Sequence, residues 1–329
     1  MSKTPSFKSQ MGPVIDRYLS LRQSLGRQCT SERYIFRYLD RFLAVAGGDL
    51  DQTTFTMWCN AQGHVSSGVR RSRMRVVRNL CLYRRRTEPA CFVPDSVLFP
   101  GLHQPVRPHI FTEKEIGRLL KTAAKLPPTG GSPLRPQVYR LAIVLLYTAG
   151  LRRRELLRLT IGDYDPREHT LSIRASKFHK SRLLPLSPDA SREVDSFLAA
   201  RRGHGHALRP DLPMLCNDHV SGGRAYSGGG IGQGMRALLR MARIRTSAGR
   251  TPRVHDFRHC FAVHALLRWY RSGADTQAKL PFLAAYMGHV SVISTEYYLS
   301  LVPELAECAS ERFAQRCGGL VSATSGDES

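Results

Sequence analysis

Between residues 11 and 90 the apolar positions recur at helical spacing rather than in strand alternation. Ile35, Tyr38, Leu39 and Phe42 fall at i, i+3, i+4 and i+7, the pattern of one buried stripe. Met74, Val77, Leu80 and Cys81 repeat the device within 69–86. Residues 94–110, PDSVLFPGLHQPVRPHI, carry four prolines and no period, and read as a connection. A strong helix start follows. Thr112 is placed to N-cap, Glu115 stands at N3, and Phe111 and Ile116 can form the staple around them. A second helix is predicted from Pro136 to Tyr147, with Gly150 as its C′ residue. TLSIRA (170–175) and RLLPL (182–186) are β-type runs around SKFHKS, which predicts a hairpin, and Ser187-Pro188 then opens another helix. GGRAYSGGGIGQG (222–234) fits neither a dinucleotide fingerprint nor a Walker loop; it is taken as a flexible connection with no nucleotide implied. The predicted fold is mainly α with a small antiparallel β-sheet. It has a helical N-terminal domain (1–100), a linker (101–110), an α+β domain (111–316) and a disordered tail (317–329).

Composition narrows the partners. The 329 residues suffice for about two domains, and 42% hydrophobic content supports packed cores. Lys and Arg number 49 against 26 Asp and Glu, a formal charge of +23 that favours a polyanion, with nucleic acid first. Arg71, Arg75 and Arg78 lie at helical spacing away from the apolar side of 69–86, and at this net charge are expected to meet phosphates. The eight cysteines include no C-x-x-C pair, so free thiols are expected rather than a zinc ribbon. The N-terminus lacks a signal-peptide stretch, and the longest apolar run, near 141–151, is too short to span a bilayer. A cytoplasmic, nucleoid-associated protein with no membrane partner is expected.

Four places hold the candidate chemistry. AGLRRREL puts Arg152 just after a helix-ending glycine, and SKFHKSRLLPL puts Lys177 at the hairpin turn. HDFRH places His255 and Arg258 at i, i+3 on one helix face. GHVSVISTEYYLS places His289 nine residues before Tyr298, which follows Tyr297 directly. Together and in this order the four boxes resemble those of the tyrosine recombinase (phage integrase) family, of the transposon or integrative-element type.

The resemblance implies a helical domain at 1–100 that clamps DNA and a catalytic domain at 111–316. It implies Arg152, Lys177, His255, Arg258, His289 and Tyr298 as catalytic residues, with Glu155 on the family's glutamate. The implied reaction cleaves and rejoins double-stranded DNA through a 3′-phosphotyrosine link, without metal, ATP or other cofactor, in a homo-oligomer of four protomers on paired sites. VPELAECASERFAQR (302–316), amphipathic and just beyond Tyr298, is the expected docking segment. Ser176 and Phe178 replace the glycines that flank the lysine in the family box, and the span from Arg258 to His289 is long, with the extra residues expected in a loop near 270–280. Alternatives are a chromosome- or plasmid-dimer resolving recombinase, a type IB topoisomerase, and a zinc enzyme using HDFRH, with His255 and His259 as ligands and His264 as a third.

Overall fold

The structure is a computed structural model that describes residues 7–101, 107–174, 181–217, 224–289 and 298. Lys177, Tyr297, the segment 302–316 and the tail 317–329 lie outside the described residues. The chain divides into two compact units, Met1–Val106 and Arg107–Ser329.

The first unit is built from helices α1 (Gly12–Ser24), α2 (Thr30–Ala46), α3 (Gln52–Asn60) and α4 (Ser67–Arg84). Met74, Val77, Leu80 and Cys81 of α4 are all buried, as their spacing predicts, and α4 packs on both α1 and α2. On α2 the buried line is Ile35, Phe36, Leu39 and Leu43. Tyr38 and Phe42 are only partly buried at its edge, so the stripe is turned slightly from the expected one. The proline-rich stretch is not all connection. Phe99 is buried in this unit's core, Arg78 donates to the Pro94 carbonyl at 3.0 Å, and Arg71 donates to the Pro100 carbonyl at 2.5 Å. Residues 94–100 are thus bound to α4 by two of the three arginines read as a phosphate-facing stripe, while Arg75 is exposed.

In the second unit, α5 (Glu113–Ala124) opens on the predicted capping box between Thr112 and Glu115, with Phe111 and Ile116 buried. Helix α6 (Arg135–Thr148) is buried on most of its circumference and touches α5, α8 (Pro188–Gly203) and α10 (Asp256–Arg271). This makes it the central post of the core. Between α6 and α8 come the short α7 (Arg153–Arg158) and three strands, β1 (Tyr164–Asp165), β2 (Thr170–Ile173) and β3 (Arg182–Pro185). They form one antiparallel sheet in the order β1-β2-β3, with Leu171 opposite Leu184 in β2 and β3. Ser187 caps α8 through the Ala190 N–H.

The glycine-rich stretch corrects the expected flexible connection. It supplies β5 (Arg224–Ala225), which pairs with β4 (Cys216–Asn217), and then α9 (Gly228–Met241), capped by Ser227. The expected loop near 270–280 is also corrected. Helix α10 runs to Arg271, a turn through Gly273 reverses the chain, and α11 (Thr276–Met287) starts on the Asp275 cap. Only the short stretch between Arg271 and Thr276 is not helical.

Candidate active site

The candidate residues come from four elements of the second unit. Arg152 occupies the N-cap position of α7, where its backbone N–H donates to Glu155 Oε2 at 2.9 Å and its Nη1 to Glu155 Oε1 at 2.7 Å. Its Nη2 donates to the Gly288 carbonyl at 2.7 Å. Glu155 is buried and takes a second fork, from Arg182 of β3, at 3.0 and 2.9 Å. Arg182 Nε reaches the Tyr286 carbonyl at 2.8 Å, so one guanidinium ties β3, α7 and the end of α11 together. Burial raises the Glu155 pKa, but the hydrogen bonds from Arg182 and Arg152 outweigh it and bring it down to about 2.

Helix α11 ends at Gly288 in the left-handed region, φ 66°. A side chain there would be strained and its Cβ would come 2.8 Å from Arg182 Nη1. The turn lets both arginines approach and places His289 directly after it.

Arg258, on the first turn of α10, is 1% exposed. Its Nη1 donates to the Gly150 carbonyl at 2.6 Å and its Nη2 to the Met287 carbonyl at 2.5 Å. Among the described residues no carboxylate pairs with it. Burial first, then the charge of Arg152, lowers its pKa to about 10, which leaves it cationic at neutral pH. A desolvated cation held by carbonyl dipoles alone is a seat for an anion.

Tyr298 is 3% exposed, and its ring lies against two histidines. His289 stacks on it with centroids 6.1 Å apart, and His259 meets it edge-on at 5.5 Å. His259 in turn meets His255 at 4.7 Å. Burial, then the charges of Arg258 and Arg152, lowers the His289 pKa to about 4. Burial, then His255, does the same for His259. His255 is exposed to solvent at the mouth of the site, yet the protein crowded around its ring, then Arg258, lowers its pKa as well. All three shifts favour the neutral imidazole.

Five of the six predicted catalytic residues are thus brought to one region, and Lys177 lies outside the described residues. Arg182 was missed as a candidate site residue, and His259 was read only as a ligand in the zinc alternative. Both stood inside the boxes already singled out, but their partners are far away in sequence. In the zinc alternative, His264 turns to the Tyr147 hydroxyl at 3.2 Å and toward Cys260, and among the described residues no three His, Cys, Asp or Glu gather in a metal-binding group. The six cysteines among the described residues are free thiols, and no helix among those residues is long and apolar enough to cross a membrane.

The model of the phage integrase family matches residues 109–304. A putative integrase/recombinase of Sinorhizobium fredii, y4rB, is 30% identical over 306 residues, covering 92% of this chain and 96% of its own length. The tyrosine recombinase XerA of Thermococcus kodakarensis is 27% identical over 205 residues, 62% of each chain. Among solved structures, a lambda integrase dimer bound to a COC′ core site matches with a TM-score of 0.60 at 16% identity, covering 87% of this chain and 94% of that one. The Tn1549 transposon integrase in complex with transposon right end DNA gives 0.59 at 17% identity, covering 92% and 99%. These two likenesses show the fold, while the matched family model and the full-length relative carry the assignment. The chain belongs to the phage integrase family, the tyrosine recombinases that cleave and rejoin DNA.

Proposed function

We propose that the protein is a site-specific recombinase of a mobile element, with Tyr298 as its nucleophile. The observation that carries this is the buried Arg258, without a carboxylate partner among the described residues, converging with Arg152 beside Tyr298. The two guanidinia clamp the non-bridging oxygens of a DNA phosphodiester and stabilise charge as phosphorus becomes five-coordinate. Tyr298 Oη forms the new bond to phosphorus, and the bond from phosphorus to the 5′-oxygen breaks. His255 receives the phenol proton, Lys177 protonates the leaving 5′-oxygen, and His289 donates a hydrogen bond to the phosphate. The product is a 3′-phosphotyrosine. A 5′-hydroxyl reverses the step, so rejoining consumes no ATP.

The helical unit completes the grip on double-stranded DNA. Arg75 is exposed there, and Arg71 and Arg78 retain donors beyond those bound to residues 94–100. Recombination proceeds in an assembly of four protomers on paired sites, with 302–316 as the docking segment. The integrase description of the full-length relative and the shared fold with a transposon integrase support the mobile-element role.

The test is covalent trapping on nicked duplexes cut from the DNA that flanks the coding sequence. The natural protein should leave a denaturation-resistant adduct. Tyr298→Phe should bind the same duplex and leave none, whereas Tyr297→Phe should keep cleavage within about tenfold, roughly 1.4 kcal/mol in the barrier. An adduct from Tyr298→Phe, with none from Tyr297→Phe, would transfer the role to Tyr297.

A further inference from the structure

Arg153 and Arg154 stand between Arg152 and Glu155, and the phosphate clamp uses neither. Both are exposed on the first turn of α7. Arg153 lies along α9: a Cβ on Gly232 would come 3.2 Å from its Nη1, and one on Gly228 would come 3.9 Å from its Cζ. These two glycines are one helical turn apart, so they bare a single strip of α9 to the guanidinium. Glycine inside a helix is unfavourable relative to alanine, and at Gly232 a Cβ would crowd Arg153 Nη1, while at Gly228 it would make only ordinary contact. The strip makes room for a long, flat cation against the helix.

That cation forms part of the wall of a cleft of about 590 Å³, shared with Arg152, Arg154, Arg236, Arg253 and His255. Among the described residues no carboxylate lines the cleft. Arg253 is paired with Asp256 at 3.0 Å, but Arg153, Arg154 and Arg236 form no ion pair with any described residue. Like charges gathered in one concavity repel, and the arrangement becomes favourable when an anion enters. Guanidinium forks match the paired oxygens of a phosphodiester. Arg152 and His255 line the cleft and also belong to the candidate active site, so the two anion seats adjoin.

We propose that this cleft is a second phosphate seat, which takes a backbone phosphate of the duplex next to the one clamped by Arg152 and Arg258. Arg153 and Arg236 are its ligands, and Gly232 leaves room for Arg153 against α9. The assignment rests on the DNA-cleaving function proposed above.

The experiment measures how binding of the full chain, carrying Tyr298→Phe, to a short mixed-sequence duplex depends on salt. Arg153→Ala and Arg236→Ala should each reduce the log–log slope by about 0.9, the contribution of one neutralised phosphate. Gly232→Ala, whose Cβ would crowd Arg153 Nη1, should reduce the slope by no more than Arg153→Ala does, and the double variant should lose no more than Arg153→Ala alone. Arg192→Ala, an exposed arginine of α8 paired with Asp189, is the control and should leave the slope unchanged. Thermal unfolding identifies a Gly232→Ala protein that fails to fold, and the two arginine variants then decide alone. On the nicked duplex that forms the adduct, one uncharged methylphosphonate near the nick should make the natural and Arg153→Ala proteins bind alike. Slopes no different from the control would overturn the second seat and leave the recombinase function standing. A protein with no salt-dependent duplex binding at all would overturn both.

Discussion

Glu155 carries no proposed chemistry, yet it holds the residue that does. Four donors converge on its two oxygens: the Arg152 N–H, Arg152 Nη1 and the two ends of the Arg182 fork. Its pKa lies near 2, against an ordinary value of 4.5. The sign follows from linkage. A carboxylate with a depressed folded-state pKa contributes its full stability above about pH 4.5, and that contribution disappears as pH falls toward about 2. The size is on the order of 3 kcal/mol. Glu155→Gln should therefore lose a few kcal/mol at neutral pH, because two guanidinia keep their positions without a counter-charge. Urea unfolding between pH 4.5 and 2 checks it: the natural protein should weaken more steeply than the variant. Parallel pH profiles would mean that the carboxylate titrates alike in the folded and unfolded states.

At the scale of elements, legibility followed the range of the interactions. The capping box at Thr112 and Glu115, the Ser187 cap and the apolar stripe of α4 are set by neighbours within four residues, and all three formed as their spacing predicts. The strand pair β2-β3 did so too, through alternation in TLSI and RLLP. Helix α9 was opaque because its glycines answer to partners far away in the chain. A Cβ on Gly234 would fall 1.7 Å from the Tyr139 hydroxyl, across 95 positions, whereas one on Gly229 meets only Ser227 Oγ at 3.9 Å. Composition alone cannot distinguish these two glycines. Alanine separates them: Gly234→Ala should destabilise by about 1–3 kcal/mol through overpacking, despite the better helix former. Gly229→Ala should be neutral or stabilising by a few tenths of a kcal/mol. Denaturant midpoints give both numbers, and equal effects at the two sites would show that helix propensity rather than contact with α6 governs this helix. The candidate site divides the same way. Its boxes could be read from residue types and order, but the roles of Arg182 and His259 depend on Gly288 and Tyr298 arriving from the other end of the unit.

For the whole molecule, the excess of 49 basic over 26 acidic residues has two consequences that can be measured separately. The general excess draws the chain to a polyanion and should make binding fall steeply with salt. In the proposed mechanism the local excess, Arg152 and Arg258 beside the candidate nucleophile, substitutes for the charge that a divalent ion would bring to a five-coordinate phosphorus. Guanidinia remain protonated at neutral pH, including Arg258 with its pKa lowered to about 10, so this charge does not depend on what the solution contains. Adduct formation on the nicked duplex should therefore proceed at an unchanged rate in excess EDTA. The comparison should be made at fixed ionic strength, since the chelator's own salt would otherwise weaken binding and imitate a metal requirement. Arg258→Lys keeps a positive charge but replaces the planar fork with a point charge, and should reduce the cleavage rate by a hundredfold or more, about 2.7 kcal/mol. If the rate instead falls on chelation and returns with zinc, the arginines are not the source of the stabilising charge, and His255 with His259 would have to be examined as metal ligands.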